Sequence, residues 1–233
     1  MFGWNFLSPD EWEVVFLTLD VATRSVVFGL PVAVLVAWLL SRTRFPGRGL
    51  LDAFAHLPMV LPPVVVGWLL LLIFGLRGPI GAWLHAWFGI RLVFTTAGAA
   101  LACAVTSFPL MLRAVRLSLD AVDPGLEQAA RTLGAGPIDR FVNVVLPLTA
   151  PGVLVGAIVG FASCLGDFGA VITFAGNIHG KTQTLPLAIF TALQTPNGGE
   201  TAARLSLVSV TLAITGLLAS QWVSRRVEVL VGR

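Results

Sequence analysis

Five stretches without a formal charge, 25–41, 57–76, 92–112, 141–166 and 205–224, recur along the chain and run from 17 to 26 residues each. A helix needs about 20 mostly apolar residues to cross the hydrocarbon core of a bilayer. Inside that core every backbone N–H and C=O must be satisfied within the protein, which leaves helices as the economical reading of such runs. The expected fold class is therefore an all-α integral membrane protein with about five transmembrane helices. Charge content agrees: only 12% of the 233 residues are charged, against about 25% in a soluble domain. The first stretch is short, so its helix is drawn back to about Val14, which takes in Asp20 and Arg24. At i, i+4 these two can pair on one face near the membrane boundary. The expected spans are about 14–41, 53–75, 92–114, 145–174 and 203–224, in one transmembrane domain covering 1–233.

The arginines orient these spans. Arg42, Arg44 and Arg48 follow the first, Arg113, Arg116, Arg131 and Arg140 follow the third, and Arg225, Arg226 and Arg233 follow the fifth. Only Arg77, Arg91, Lys181 and Arg204 fall on the other side. The positive-inside rule then puts the N-terminus outside and the C-terminus in the cytoplasm. The net charge of +3 is accounted for by these flanking loops, so the expected partner is the lipid bilayer and not nucleic acid. The acidic start "MFGWNFLSPDEWE" does not resemble a cleaved signal peptide. Trp12, Trp38, Trp68, Trp83, Trp87 and Trp222 mostly lie near span ends, as interfacial anchors do. The segment "TLPLAIFTALQ" (184–194) is too short for a sixth span and is read as an external or re-entrant helix. Cys103 and Cys164 sit in apolar runs and are read as small packing residues.

Spans two and four begin alike. "LPMVLPPVVVG" (57–67) and "LPLTAPGVLVG" (146–156) match at Leu57, Pro58, Pro62, Val66 and Gly67 against Leu146, Pro147, Pro151, Val155 and Gly156, among others, at a constant offset. This is either a parallel internal repeat or the ordinary use of proline to set the angle at which a helix enters the membrane. Both segments are candidates for lining a pathway, because proline and glycine disturb helices only where protein or a cavity satisfies the backbone. Pro62, Pro63, Gly67 and Ser163 are the candidate lining residues. Asp167, flanked by Gly166 and Gly169, follows the fourth apolar run, and an ionisable group near membrane depth marks a functional site. A carboxylate would repel an anionic cargo, so Asp167 is expected to gate or to cap a helix, paired with an arginine or with backbone amides.

The polar connection at about 115–146 contains "VDPGLEQAARTLGAGPIDRFVNVVLP" (122–147). Asp123 before Pro124 reads as a helix start. Leu126, Ala129, Ala130 and Leu133 fall at i, i+3, i+4 and i+7 and form a narrow apolar stripe. Gly134 supplies a left-handed cap, and a second helix starts near Pro137. The first helix is about ten residues, hence about 15 Å long. Nothing else in the sequence is available to cover its stripe, so it reads as a docking helix for another subunit.

At these residues the chain resembles the inner-membrane subunits of type I ABC importers, which carry a loop of the pattern E-A-A, three residues, G, nine residues, I, one residue, L-P. Here the pattern falls on Gln128, Ala129, Ala130, Gly134, Val144, Leu146 and Pro147. Gln128 stands in place of the usual glutamate and so loses a charge. Glu127, one residue earlier, would point elsewhere on the helix. Over nearly its whole length the chain is similar to the molybdate-transporting branch, in "FPGRGLLDAFAHLPMVLPPVVVGWLLL", "SFPLMLRAVRLSLDAVDPGLEQAARTLGAG" and "LGDFGAVITFAGNIHGKTQTLPLAIFTALQTP".

The resemblance implies a permease in the bacterial inner membrane that moves molybdate by alternating access. It further implies a homodimer, two cytoplasmic ATPase subunits and an external oxyanion-binding protein. Glu127, Gln128, Ala129, Ala130, Leu133 and Gly134, with Leu146 and Pro147, would form the coupling element that seats on the ATPase. No catalytic residue, metal or cofactor is expected on this chain, since ATP and magnesium would belong to the ATPase. The same architecture serves tungstate, sulfate or thiosulfate. An intramembrane enzyme is the remote alternative, and His56, His85 and His179 are too scattered for one. "AGNIHGKT" (175–182) resembles a P-loop but has alanine where the first glycine is required.

Overall fold

A computed structural model describes residues 7–43 and 45–231, with side chains described except at 217 and 219–231; Arg44 and Arg233, and the side chains of Trp222, Arg225 and Arg226, lie outside the described residues. The described residues form helices and connections, with no strand among them. Helix α1 (Pro9–Arg42) starts five residues before the expected Val14. The signal is "SPDE": Ser8 Oγ accepts from the Glu11 N–H at 3.2 Å and the Glu11 carboxylate accepts from the Ser8 N–H at 2.6 Å. This is a capping box with proline at the first helical position. Asp20 and Arg24 pair along α1 at 2.8 Å.

The second expected span is not one helix. It divides into α2 (Arg48–Val60) and α3 (Pro63–Phe74), which meet at a bend of 120°. The cause is the Pro62-Pro63 dipeptide. A residue before proline is excluded from the α region, and here two successive residues, Leu61 (ψ 143) and Pro62 (ψ 135), are forced to extended backbone. The matching segment at 146–156 has Gly152 after Pro151 and passes through unbroken. The echo between the two segments is thus one of sequence and not of shape. After α3, α4 (Pro79–Phe88) exposes Trp83, Trp87 and Phe88. Trp38, expected as an anchor, is half-buried and packs edge-on to Phe141 at 5.6 Å.

Helix α5 (Thr96–Asp120) runs past the expected end of the third span, so Arg113 and Arg116 lie on the helix and the polar connection begins at 121. It leads through α6 (Pro124–Thr132) into α7 (Pro137–Arg140), a π turn (Phe141–Val145) and α8 (Leu146–Leu165). Residues Pro137–Leu165 act as one 29-residue helix. The π turn directly precedes Pro147, whose missing N–H would interrupt an α ladder. The fourth span ends at Leu165 rather than 174, and α9 (Gly169–Phe174) follows as a separate element. Then come α10 (Leu185–Gln194), which is the short helix expected at 184–194, and α11 (Gly199–Val231), which takes in the residues expected to form the fifth span. Among the described residues α1, α5 and Pro137–Leu165 are long and apolar enough to cross a membrane, and the bent α2–α3 pair is either a broken fourth span or a re-entrant loop.

The core forms where α1 and α8 pack on α5. Gly152, Gly156 and Gly160 are buried on one face of α8 and allow backbone-close approach to α5, the small-xxx-small pattern of membrane helix pairs. A methyl group at Gly152 would overlap Ser118 Cβ, and one at Gly160 would stand 2.7 Å from Met111 Cγ and Sδ, in an unbranched side chain. Cys164 sits in the same layer, with Sγ 3.1 Å from Ser25 Oγ, and both cysteines are buried free thiols. Helix α10 packs between α1 and α11, and its Leu185 N–H donates to Thr18 Oγ1 at 2.8 Å. At the same end Arg204 of α11 reaches the buried Glu11 carboxylate at 2.9 Å. Gly152→Ala is expected to destabilise the protein by about 1–3 kcal/mol, as overpacking of a filled contact does. Gly160→Ala should cost less, because Met111 can yield. Thermal unfolding of the two variants in detergent checks the order, and equal melting temperatures would refute it.

Candidate functional site: a polar hairpin and a cavity between broken helices

The hairpin between α5 and α8 is specified residue by residue. Asp123 accepts from the Gly125 N–H at 2.8 Å and Pro124 occupies the first helical position. At the other end the Ala135 N–H donates to the Ala130 carbonyl and the Gly134 N–H to the Arg131 carbonyl, both at 3.0 Å. These two bonds make a Schellman cap. Gly134 has φ +90 with open space around it, so glycine is needed there for backbone conformation alone. Leu133 falls on the cap rather than inside the helix.

No residue of α6 is buried. Leu126, Leu133 and Ile138 are 47%, 88% and 79% exposed, so the apolar stripe is presented outward and nothing in the described chain covers it. Gln128 and Ala129 are exposed on the same short helix, with Ala130 half-buried. Leu146 and Pro147 open α8 behind the hairpin.

Glu127 does point elsewhere, as expected. Its carboxylate meets Arg42 Nε at 2.7 Å, an ion pair in which both side chains are largely covered. Arg42 Nη2 also donates to the carbonyls of Leu119 and Val122 at 3.0 and 3.1 Å. One arginine at the end of α1 therefore satisfies carbonyls left over at the end of α5 and fixes the base of the hairpin. The part played by Arg42 was not legible in the sequence, because its partners lie 77 to 85 residues away.

The second feature is a cavity of about 400 Å³ where the α2–α3 bend faces the α8–α9 break. Of the residues picked out from sequence, Pro63, Ser163, Gly166, Asp167 and Gly169 line it together. Pro62 lies in the bend beside it, and Gly67 does not reach it. Gly67 instead packs α3 on α9, where a methyl would stand 2.7 Å from the Ala170 carbonyl oxygen. Gly169 also approaches α3 closely, facing Pro63. Thr106, on α5, was missed from sequence and is central here: its hydroxyl donates to Asp167 Oδ2 at 2.6 Å. Asp167 Oδ1 accepts from the Ala170 N–H at 3.4 Å. Among the described residues its partners are thus a hydroxyl and a backbone amide, with no arginine.

The P-loop-like turn at 175–182 is closed on itself. Thr182 Oγ1 is buried, donates to the Gly176 carbonyl and accepts from the Ile178 N–H. No hydroxyl is left free for a phosphate or a metal.

These features belong together in one protein class. The family model of the binding-protein-dependent transport system inner membrane component matches residues 29–229, and the chain belongs to that family. It is 54% identical over 219 residues to the molybdenum transport system permease protein ModB of Escherichia coli (strain K12), covering 94% of this chain and 96% of that one. It is 43% identical over 208 residues to the sulfate transport system permease protein CysT of the same organism, covering 89% of this chain and 72% of the relative. A crystal structure of a bacterial alginate ABC transporter, in complex with its alginate pentasaccharide-bound periplasmic protein, contains a chain of the same fold. The TM-score is 0.73 at 18% identity, over 95% of this chain and 81% of that one.

Arg42→Ala would strip Glu127 and two carbonyls of their shared partner, at about 1–3 kcal/mol by the usual cost of unsatisfied groups. Trypsin cleavage at Arg131 and Arg140 in the hairpin should then quicken by about tenfold or more relative to wild type. An unchanged cleavage rate would show that Arg42 does not hold the hairpin.

Proposed function

We propose that this chain is the membrane-spanning subunit of an ATP-driven importer that carries molybdate from an external binding protein to the cytoplasm by alternating access. The observation that carries the reading is the hairpin at 121–136. It spends a capping aspartate, a Schellman glycine and a covered ion pair on holding a short helix whose apolar stripe faces outward. A helix so firmly mounted and left uncovered is built to be gripped. In the oriented membrane, N-terminus outside and C-terminus inside, the hairpin faces the cytoplasm, where two ATPase subunits would each seat one such helix of a permease homodimer. ATP and magnesium are held by those ATPases, and this chain performs no chemistry.

Movement of the hairpin passes into α5 and α8, whose ends it joins, and from there to the cavity at the two helix breaks. Alternating access then follows as rocking of packed helices around that cavity. Pro62, Pro63, Ser163, Gly166, Asp167 and Gly169 form the gate and lining, with Thr106 added by its bond to Asp167. Gly67 keeps α3 and α9 moving together. Asp167 does not bind the dianion, since a carboxylate repels it. It latches α9 to α5 and releases in the cycle. Molybdate is favoured over sulfate because the greater similarity, over the greater share of the relative, is to the molybdenum permease.

Reconstitution with the cognate ATPase and binding protein tests the substrate. Molybdate should stimulate ATP hydrolysis several-fold and sulfate should not; stimulation by sulfate alone would overturn the assignment. Gly134→Asp should insert normally yet fail to co-purify with the ATPase, because a side chain at φ +90 costs about 1–2 kcal/mol and adds charge to the docking face. Asp167→Asn should abolish molybdate uptake while basal ATP hydrolysis continues. Wild-type uptake in that variant would remove Asp167 from the gate.

A further inference from the structure

A second and larger cavity, about 850 Å³, lies between α1, α2 and α5, and Pro58 lines both cavities. Its walls are carbon, with Phe28, Val32, Phe54, Ala104 and Phe108 among them, and Arg24 is the one charged residue that lines it. Along α1 the lining runs from Arg24 to Val36, and along α5 from Ala97 to Phe108. At 1.5 Å per residue both edges are about 17–18 Å long. That is close to the depth of one leaflet, half of a hydrocarbon core about 30 Å thick. Arg24 immediately precedes the charge-free run 25–41, so the charged end of the groove lies at the membrane boundary and the apolar length lies within it.

The charged end decides what can fill the groove. An apolar helix of a second copy would bring no anion to Arg24, whereas a lipid brings a phosphate at the end of acyl chains that suit the carbon walls. The mouth is complementary to a lipid headgroup. Arg24 Nε donates to Asp20 Oδ1 at 2.8 Å, which leaves its Nη groups without a hydrogen-bond partner among the described residues. The pair offers guanidinium N–H groups to a phosphate and a carboxylate to an ammonium. We infer that this groove is a binding site for one zwitterionic glycerophospholipid. Its phosphate lies at Arg24, its ammonium at Asp20, and its acyl chains lie along α1 and α5 between Phe28 and Phe108.

The site would make a lipid part of the α1–α2–α5 wall, behind the bend that faces the gating cavity. The inference needs only the membrane placement of α1 and α5 and is independent of which anion is carried. The test is native mass spectrometry of the full-length chain, purified in detergent, delipidated and titrated with palmitoyl-oleoyl-phosphatidylethanolamine. One lipid per chain should be retained. Ala104→Phe, which fills the groove, should abolish retention. Arg24→Gln should weaken it by about tenfold, as loss of a charge-assisted hydrogen bond does, and should erase the preference over a diacylglycerol with the same chains. Should Ala104→Phe fail to fold, Val32→Trp on the exposed wall replaces it. Wild-type retention in the filled variant overturns the site, as does a folded wild-type chain that holds no lipid. A lipid-free pair of copies joined by a Phe54→Cys disulfide would also overturn it, by making the groove an interface between chains.

Discussion

The close approach of α5 and α8 is the contact on which the rest of the molecule depends. Inside a bilayer, lipid tails are as apolar as leucine, so helices gain little by hiding oily surface from each other. What holds them is close packing and the polar contacts that packing permits. Gly152, Gly156 and Gly160 remove side chains from one face of α8, and α5 fills the space with Met111, Val115 and Ser118. That approach brings Ser107 and Ser25 around Cys164 and lets Thr106 reach Asp167. The hairpin joins the far ends of this same pair. In the proposed coupling, a push on α6 would therefore reach two helices that cannot easily slide apart.

The sequence made the membrane class, most spans and the hairpin readable, because each rests on local physics. Apolar length, the Asp-Pro start and the Gly134 cap act within a few residues and leave their marks in order along the chain. The short helix at 185–194 was readable for the same reason: it is apolar but too short to span. The failures came where local signals compete. Apolar length alone makes the Pro62-Pro63 pair part of a span, although two pre-proline restrictions in a row bend the chain by 120°. At the N-terminus the apolar boundary at Val14 competes with the capping box at Ser8, and the capping box sets the helix start. Thr106, Arg42 and the α8 glycine face escaped for another reason, since their meaning lies in partners that only the packed helices bring near.

The hairpin also clarifies the exchange of glutamate for glutamine at position 128. The charge next to it, Glu127, is occupied inside the subunit by Arg42. Such a pair, with both members largely covered, tethers the helix base rather than advertising charge to a partner. Gln128 stays exposed and keeps hydrogen-bonding capacity without charge. The uncharged groups that the hairpin exposes include Gln128 and the apolar side chains of Leu126, Leu133 and Ile138, and these would carry the proposed docking contact by shape.

The cavity lies where two helices are interrupted, and the interruptions explain why it can be polar. At the α2–α3 bend and the α8–α9 break, backbone groups leave their helical ladders and need other partners, which in a bilayer only protein or water can supply. Asp167 provides one such partner through the Ala170 N–H, while Thr106 ties the carboxylate to α5. The breaks are also the points of least stiffness, because no ladder carries strain across them. Under the proposed coupling, a displacement arriving through the tightly packed α5–α8 pair would be resisted along those helices and concentrate at their interrupted neighbours. The same backbone interruptions that open a polar space mark where its walls are least tied, and the Thr106–Asp167 bond is a contact that joins α5 to the segment between α8 and α9 there.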